Sequence, residues 1–238
     1  MTDRDAYPGA DGPVGIRFDR VSHGFDDQPV LTDVTLDLTE RRIGIVGANG
    51  SGKSTLARMI NGLVTPRDGT VTVNGLDVKR QAKLVRRQVG FIFTNPDNQI
   101  VMPTVQEDVA FTLRRRGLSA DEIAERTSAT LARFGLSELA ERPAHRLSGG
   151  QKQLLALAAV LVAEPRIVVA DEPTTLLDAR NTRLITDLLV SLTQQVIVVT
   201  HDLDVLDDFD RVIVIDQGRV VADAVPALAL ASYRALLA

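Results

Sequence analysis

The sequence predicts an α/β fold with a mixed sheet, an antiparallel β segment at its N-terminal side and an α-helical insertion. Three observations carry that prediction. Apolar β-type runs stand at Ile43–Val46, Ile167–Ala170 and Val196–Thr200, the last two followed directly by Asp171-Glu172 and His201-Asp202. Helical periodicities separate them, the alternation that builds parallel strands with crossover helices. The first of these runs is followed at once by Gly47-Ala-Asn-Gly-Ser-Gly-Lys-Ser-Thr55, which contains G-x-x-x-x-G-K-[ST] in its strand–loop–helix context.

Residues 1–14 are rich in Asp, Gly and Pro and nearly devoid of apolar side chains, so they are expected to be a disordered lead. Ile16–Phe25 and Val30–Leu38 flank a polar turn at Asp26–Pro29 and are expected to form an antiparallel pair. An aromatic at position 25 suits either an adenine platform or the core, and spacing alone does not choose. In the glycine-rich loop, Gly47, Gly50 and Gly52 permit backbone amides to turn inward around phosphates, together with Ala48, Asn49 and Ser51. Lys53 is placed to neutralise phosphate charge and Ser54 to offer its hydroxyl to Mg²⁺. Thr55 is expected to start a helix whose dipole favours the same anion.

Leu56, Met59, Ile60 and Leu63 continue that helix until Pro66–Gly69. Val71 and Val73 alternate as a strand, and Val89–Phe93 reads as a short buried one. Asn95–Pro103 breaks the rhythm and leads into a helical subdomain expected over about 95–163. Within it, Ser119-Ala-Asp-Glu122 has the form of a capping box, and Gly135 closes the helix that follows. The arginines at 114–116 read as a solvated face. Ser148-Gly-Gly opens a further helix with a stripe at Leu154, Leu157, Ala158 and Leu161. Leu184, Ile185, Leu188, Leu189 and Leu192 mark an amphipathic crossover helix. Val212–Ile215 and Arg219–Ala222 read as a hairpin around Asp216-Gln-Gly218, and a last helix is expected over 226–238. The main domain thus spans 15–225.

Bulk composition narrows the functional classes. A hydrophobic content of 45% supports a large core without staples. The formal charge of −4 gives no global basic footprint, against a nucleic-acid partner. The absence of cysteine removes disulfides, thiolate metal sites and thiol catalysis together. The N-terminus does not resemble a secretory signal, and the longest apolar run, Leu154–Ala163, is too short to span a bilayer. The expected location is therefore the cytoplasm, with membrane association through a partner.

Hydrolysis of a nucleoside triphosphate requires phosphate neutralisation, a metal, and a base near an oriented water. Asp171, at the end of an apolar strand, is placed to hold Mg²⁺ or its waters. Glu172, one residue on, points elsewhere and is placed to polarise the attacking water. Adjacent carboxylates at a strand end also serve to cap turns; the phosphate loop in the same chain weights the catalytic reading. His201 follows another such strand, which brings it to the sheet edge where open α/β folds bind ligands.

Leu147-Ser148-Gly149-Gly150-Gln151, followed by Asp171-Glu172-Pro173, resembles the signature and Walker B motifs of ATP-binding-cassette (ABC) ATPases. The resemblance runs from about Ile16 to Ala222 and makes the fold class a P-loop NTPase core with an N-terminal antiparallel β subdomain and an inserted α-helical subdomain. It implies ATP and Mg²⁺ as cofactors, Asp171 as metal-associated carboxylate, Glu172 as catalytic base, Asp178 in the D-loop, His201 as switch histidine and Phe25 as the adenine-stacking aromatic. It also implies a second cassette, identical or paralogous, in a head-to-tail dimer, so that Ser148–Gln151 clasp the ATP held by the other subunit. Where the family usually places a glutamine after the Val-Gly-x-x-Phe strand, this chain has Thr94; either Thr94 reaches the metal or Gln99 substitutes from the loop.

Asn95–Gln99, Pro103–Val105 and Glu107–Phe111 resemble the ATPase subunits of energy-coupling-factor importers of vitamins and metal ions, and Met102–Val105 and Thr174–Asp178 resemble the biotin importers among them. This implies a peripheral subunit on the cytoplasmic membrane face. Its partners would be an integral membrane coupling protein docked near 95–111 and a substrate-binding membrane subunit. The contrasting readings are a non-transport cassette acting on nucleic acid or the ribosome, against which stand the single cassette and the lack of a coiled-coil insertion or of an acidic-to-basic asymmetry, and a P-loop kinase, which would need an acceptor-substrate site and gives no reason for Leu147–Gln151.

Overall fold

A computed structural model describes residues 15–114 and 116–237. The expectations for residues 1–14, Arg115 and Ala238 lie outside the described residues. The described residues form two compact units, 15–89 with 201–237, and 90–200.

In the first unit, strand β1 (Ile16–Phe25) pairs antiparallel with β2 (Gln28–Leu38) on one side and with β4 (Asp68–Val73) on the other; β4 continues to β5 (Leu76–Asp77). Alternation decides the buried face: Ile16, Phe18 and Val21 are fully buried, as is Val73 opposite Ile16. The turn between β1 and β2 is shorter than the sequence suggests. Gly24 pairs with Pro29 and Phe25 with Gln28, which leaves Asp26-Asp27 as a two-residue turn. Pro29 is tolerated inside β2 because that strand lies at the edge of its sheet, where a missing amide costs no ladder bond.

Strand β3 (Arg42–Val46) is buried throughout and runs parallel to β9 (Arg211–Asp216), with Ile43 opposite Arg211 and Val46 opposite Val214. Burial on both faces explains its unbroken apolar run. β9 returns as β10 (Arg219–Ala224) through Gln217-Gly218, both at positive φ, the two-residue geometry that matches strand twist. Helix α1 (Lys53–Ile60) buries Leu56, Met59 and Ile60. Helix α2 (Ala82–Gln88) has no counterpart among the sequence expectations; it is short and buries only Val85 and Gln88, too few positions to register as a period. The last helix, α7 (Pro226–Leu237), begins on a proline, which needs no intrahelical amide partner there, and buries Ala229, Leu230 and Tyr233.

The second unit takes up β6 (Val89–Ile92) after its first residue and places it beside β7 (Ile167–Asp171). β7 runs parallel to β8 (Gln195–Val199), from Ile167 opposite Gln195 to Asp171 opposite Val199. Three helices, α3 (Val105–Leu113), α4 (Ala120–Arg133) and α5 (Gly149–Leu161), form the expected helical part. The capping box at α4 is present: Glu122 N donates to Ser119 Oγ at 3.2 Å, and Ser119 N to Glu122 Oε2 at 2.8 Å. Leu155 to Ala159 of α5 are buried in succession, so this helix is enclosed on most sides rather than along one stripe. The crossover helix α6 (Ala179–Ser191) buries Ile185 and Leu189, whereas Leu184, expected on the same face, is 49% exposed.

Candidate functional site

The glycine-rich loop sits between β3 and α1. At Gly47 a Cβ would lie 2.0 Å from the Ile215 carbonyl oxygen and 2.7 Å from Ser51 Oγ, so only glycine lets the chain leave β3 this close to the end of β9. Gly52, at φ 104°, is the N-cap of α1, and no side chain caps the helix. α1 therefore begins at Lys53, two residues ahead of the expected Thr55, which puts Lys53, Ser54 and Thr55 together in its first turn. Lys53 Nζ folds back over the loop and donates to the carbonyl oxygens of Gly47 at 2.7 Å and Ala48 at 2.9 Å. The buried Ser51 hydroxyl has no hydrogen-bond partner. An ammonium group, first-turn amides without a side-chain cap and an unsatisfied hydroxyl make a donor set suited to a phosphate chain.

Phe25 ends β1 and is 57% exposed, which removes the core reading of this aromatic. Its cross-strand partner is Gln28. Two residues further along β2, about 7 Å at strand rise, Val30 O and Leu31 Cδ2 lie 2.7 and 2.8 Å from where a Gly52 Cβ would stand. The aromatic and the phosphate loop thus flank the same stretch of β2. His201 is exposed and follows Thr200, which is fully buried.

In the second unit, Asp171 ends β7 with no exposed surface. The backbone then turns through Glu172 at φ 53°, a left-handed conformation that a glutamate adopts only where the surroundings hold it. Glu172 N donates to Val199 O at 2.8 Å, and its Oε2 accepts from Thr175 Oγ1 at 3.0 Å. Thr94 and Gln99, left as alternatives by the sequence, have distinct places. Thr94 Oγ1 donates to the Asp171 carbonyl at 2.9 Å. Gln99 is held at both ends of its amide, accepting from Phe93 N at 3.2 Å and donating to Ala156 O at 2.9 Å.

Ser148 caps α5 in a reciprocal box: Gln151 N donates to Ser148 Oγ at 3.3 Å and Ser148 N to Gln151 Oε1 at 3.0 Å. A Cβ at Gly150 would lie 2.6 Å from Cγ of Asn181. Asn181 in turn donates from its backbone to Asp178 Oδ1 at 2.9 Å and from Nδ2 to Oδ2 at 3.1 Å, so Asp178 is the cap of α6. The start of α5 and the start of α6 are thereby packed together through Gly150 and Asn181. Sequence reasoning passed over Asn181, because no local pattern marks a side chain whose role is to fill the space beside a distant glycine.

The segment about 95–111 is anchored through a buried carboxylate and exposes both polar residues (Asn95, Asp97, Asn98) and apolar ones (Val101, Phe111). Asp108, 3% exposed, accepts from the amides of Val101 at 2.8 Å and Met102 at 2.9 Å through Oδ1. Burial raises its pKa above the ordinary aspartate value, and the two amides pull it part of the way back. Val101 is 63% and Phe111 46% exposed. Lys152 Nζ meets Asp97 Oδ1 at 2.7 Å beside a small cavity of about 120 Å³ lined by Thr94, Asp97, Gly149, Lys152 and Gln153.

Among the described residues no group of three or more His, Asp or Glu is gathered to hold a metal. Mg²⁺ keeps several waters and is bound through one or two protein oxygens plus substrate phosphates, so it needs no such cluster. No helix among the described residues is long and apolar enough to cross a membrane.

The family described as ABC transporter matches residues 31–175. A putative ABC transporter ATP-binding protein of Deinococcus radiodurans is 53% identical over 219 residues, covering 92% of this chain and 97% of that one. The biotin transport ATP-binding protein BioM of Rhizobium etli is 47% identical over 225 residues, covering 94% and 100%. Among solved structures, cbiO1 of Clostridium perfringens, part of the ABC transporter complex cbiONQ, superposes with a TM-score of 0.82 at 31% identity, covering 93% of this chain and 92% of that one.

Proposed function

Because the chain belongs to the ABC transporter family as an ATP-hydrolysing cassette that uses ATP with Mg²⁺, we propose that it is the motor subunit of an energy-coupling-factor importer with biotin as the favoured cargo. The observation that carries the motor reading is the Lys53 ammonium folded onto the Gly47 and Ala48 carbonyls at the uncapped start of α1. The cargo reading rests on the likeness to BioM over nearly the whole of both chains.

In this reading Gly47–Thr55 bind the phosphates, Ser54 and Asp171 hold Mg²⁺, Glu172 polarises the attacking water, His201 senses the terminal phosphate and Phe25 stacks on adenine. Ser148–Gln151 and Asp178 serve the nucleotide of a second cassette. The capping box supports that assignment: it satisfies Ser148 N and Gln151 N internally and leaves the amides of Gly149 and Gly150 at the end of a 13-residue helix directed to an anion from another chain. Thr94, bonded to Asp171, stands where the metal-sensing glutamine is usual, whereas the Gln99 amide serves the backbone.

The helical part over about 95–163 acts as an inserted subdomain of one cassette spanning 15–225. The membrane coupling protein docks near residues 95–111, where exposed Val101 and Phe111 offer apolar contact. The subunit then sits peripherally on the cytoplasmic membrane face, with the substrate-binding membrane subunit as a further partner. The test is uptake of labelled biotin by cells that lack this chain. Restoration by the wild type but not by Lys53→Ala, with recovery of the wild-type chain from membranes together with an integral protein, is the expected result. Unchanged biotin uptake without the chain would refute the cargo assignment, and recovery only with ribosomes or DNA would refute the importer.

A further inference from the structure

Phe25 stands on a surface hairpin, yet its neighbours hold it closely. A Cβ at Gly24 would lie 2.5 Å from Gln28 O, which marks how tightly the two strands approach there. The Arg67 guanidinium donates to Asp26 O at 3.1 Å and reaches Gly24 O at 3.5 Å, bracketing Phe25 along the backbone. These contacts fix where the Phe25 backbone lies but leave its side-chain torsion free. The side-chain restraint comes from His23. Its ring stands perpendicular to the Phe25 ring, with centroids 5.0 Å apart and planes at 89°, the edge-to-face arrangement that sets the positive rim of one ring on the negative face of the other.

His23 is an expensive choice for that task. Both ring nitrogens are buried and neither has a hydrogen-bond partner. A polar ring in such a place costs stability that an aliphatic residue would avoid. Its cross-strand partner, Leu31, is buried and also lies against Gly52 of the phosphate loop, so His23 fills the strand pair between the aromatic and the loop.

We propose that His23 is a positioning residue that locks the Phe25 ring in the orientation which receives the adenine base, so that the base stacks on a pre-ordered face. The proposal rests on the assignment of Phe25 as the adenine platform. An edge-to-face pair of this kind corresponds to a factor of about 2 to 13 in affinity, all of it on the base and none on the phosphates.

The experiment measures binding of ATP and of inorganic tripolyphosphate to the full chain by calorimetry, for the wild type, His23→Leu, His23→Phe, Phe25→Ala and the Phe25→Ala/His23→Leu double variant. Leucine fills the site without an aromatic edge, and phenylalanine restores one. The expected result is a threefold to tenfold weakening of ATP binding in His23→Leu, about the span of that aromatic pair. Tripolyphosphate binding stays unchanged, His23→Phe recovers ATP affinity, and His23→Leu has no further effect once Phe25 is gone. If Phe25→Ala leaves ATP affinity intact, the platform assignment falls and this inference with it. If Phe25→Ala weakens ATP binding but His23→Leu does not, or if His23→Leu weakens tripolyphosphate binding equally, the platform stands and the role of His23 is overturned. Should His23→Leu fail to fold, ATP affinity in His23→Phe decides: affinity close to wild type supports the edge contact, and a loss like that of Phe25→Ala refutes it.

Discussion

The hydroxyl of Thr94 donates to the backbone carbonyl of Asp171 at 2.9 Å, tying the residue after β6 to the last residue of β7. The contact explains how a threonine can occupy this position without leaving the strand end loose. Its removal in Thr94→Val preserves shape and deletes one hydrogen bond, at a cost of about 0.5–1.5 kcal/mol. The expected outcome is a lower unfolding midpoint in denaturant and an ATP turnover reduced more than ATP affinity. Turnover equal to wild type would remove Thr94 from the hydrolytic machinery.

Gly150 and Asn181 make a second testable pair. With a Cβ at position 150 placed 2.6 Å from Asn181 Cγ and 2.8 Å from Nδ2, Gly150→Ala must push Asn181 off Asp178. A loss of about 0.5–1.5 kcal/mol is expected, that of the displaced side-chain hydrogen bond. The double variant Gly150→Ala/Asn181→Ala opens the space again, and its stability should exceed the sum of the two single effects. Strict additivity in a double-mutant cycle would show that the contact is not what limits position 150.

Much of this arrangement is legible in the sequence wherever a short-range pattern dictates it. The glycine-rich loop, the box at Ser119–Glu122 and the Gln217-Gly218 turn are set by residues within a few positions of one another, and each is present. Pro29 misleads, since a proline normally ends a strand and only the edge position of β2 exempts it. The second partner of β1, strand β4, lies some fifty residues away in the chain. Its pairing is fixed by burial of Ile16 and Phe18 against Val73 and Val71, which no local window contains. At the candidate site, residue identities could be read but commitments could not: the sequence leaves Thr94 and Gln99 equivalent, and only the bonds from Gln99 to Phe93 and Ala156 separate them.

Asp108 gives a prediction in pH. Its pKa is raised above 3.8 by burial, against the pull of the Val101 and Met102 amides. A carboxyl raised in the folded state contributes stability that is fully present below its unfolded pKa and is lost as pH rises through the folded one. Asp108→Asn keeps an acceptor at Oδ1 without the charge, so its stability relative to wild type should grow as pH rises from about 4 toward neutrality. Asp108→Ala leaves two amides without the carboxyl and should cost about 1–3 kcal/mol at acid pH, a difference that shrinks as the wild type loses stability with rising pH. Urea titrations from acid to neutral pH measure both, and a difference between Asn and wild type that does not change with pH would contradict the burial of a titrating carboxyl.

In the proposed motor, ATP is held between two cassettes, with Lys53 of one chain and Ser148–Gln151 of the other on the same nucleotide. Sedimentation equilibrium of the Glu172→Gln chain with and without ATP and Mg²⁺ tests it directly. A monomer is expected without nucleotide, a dimer of lasting nucleotide occupancy with it, and a return to monomer when Lys53→Ala or Gly149→Arg is added. A Glu172→Gln chain that binds ATP yet stays monomeric at saturating nucleotide and high protein concentration would contradict it.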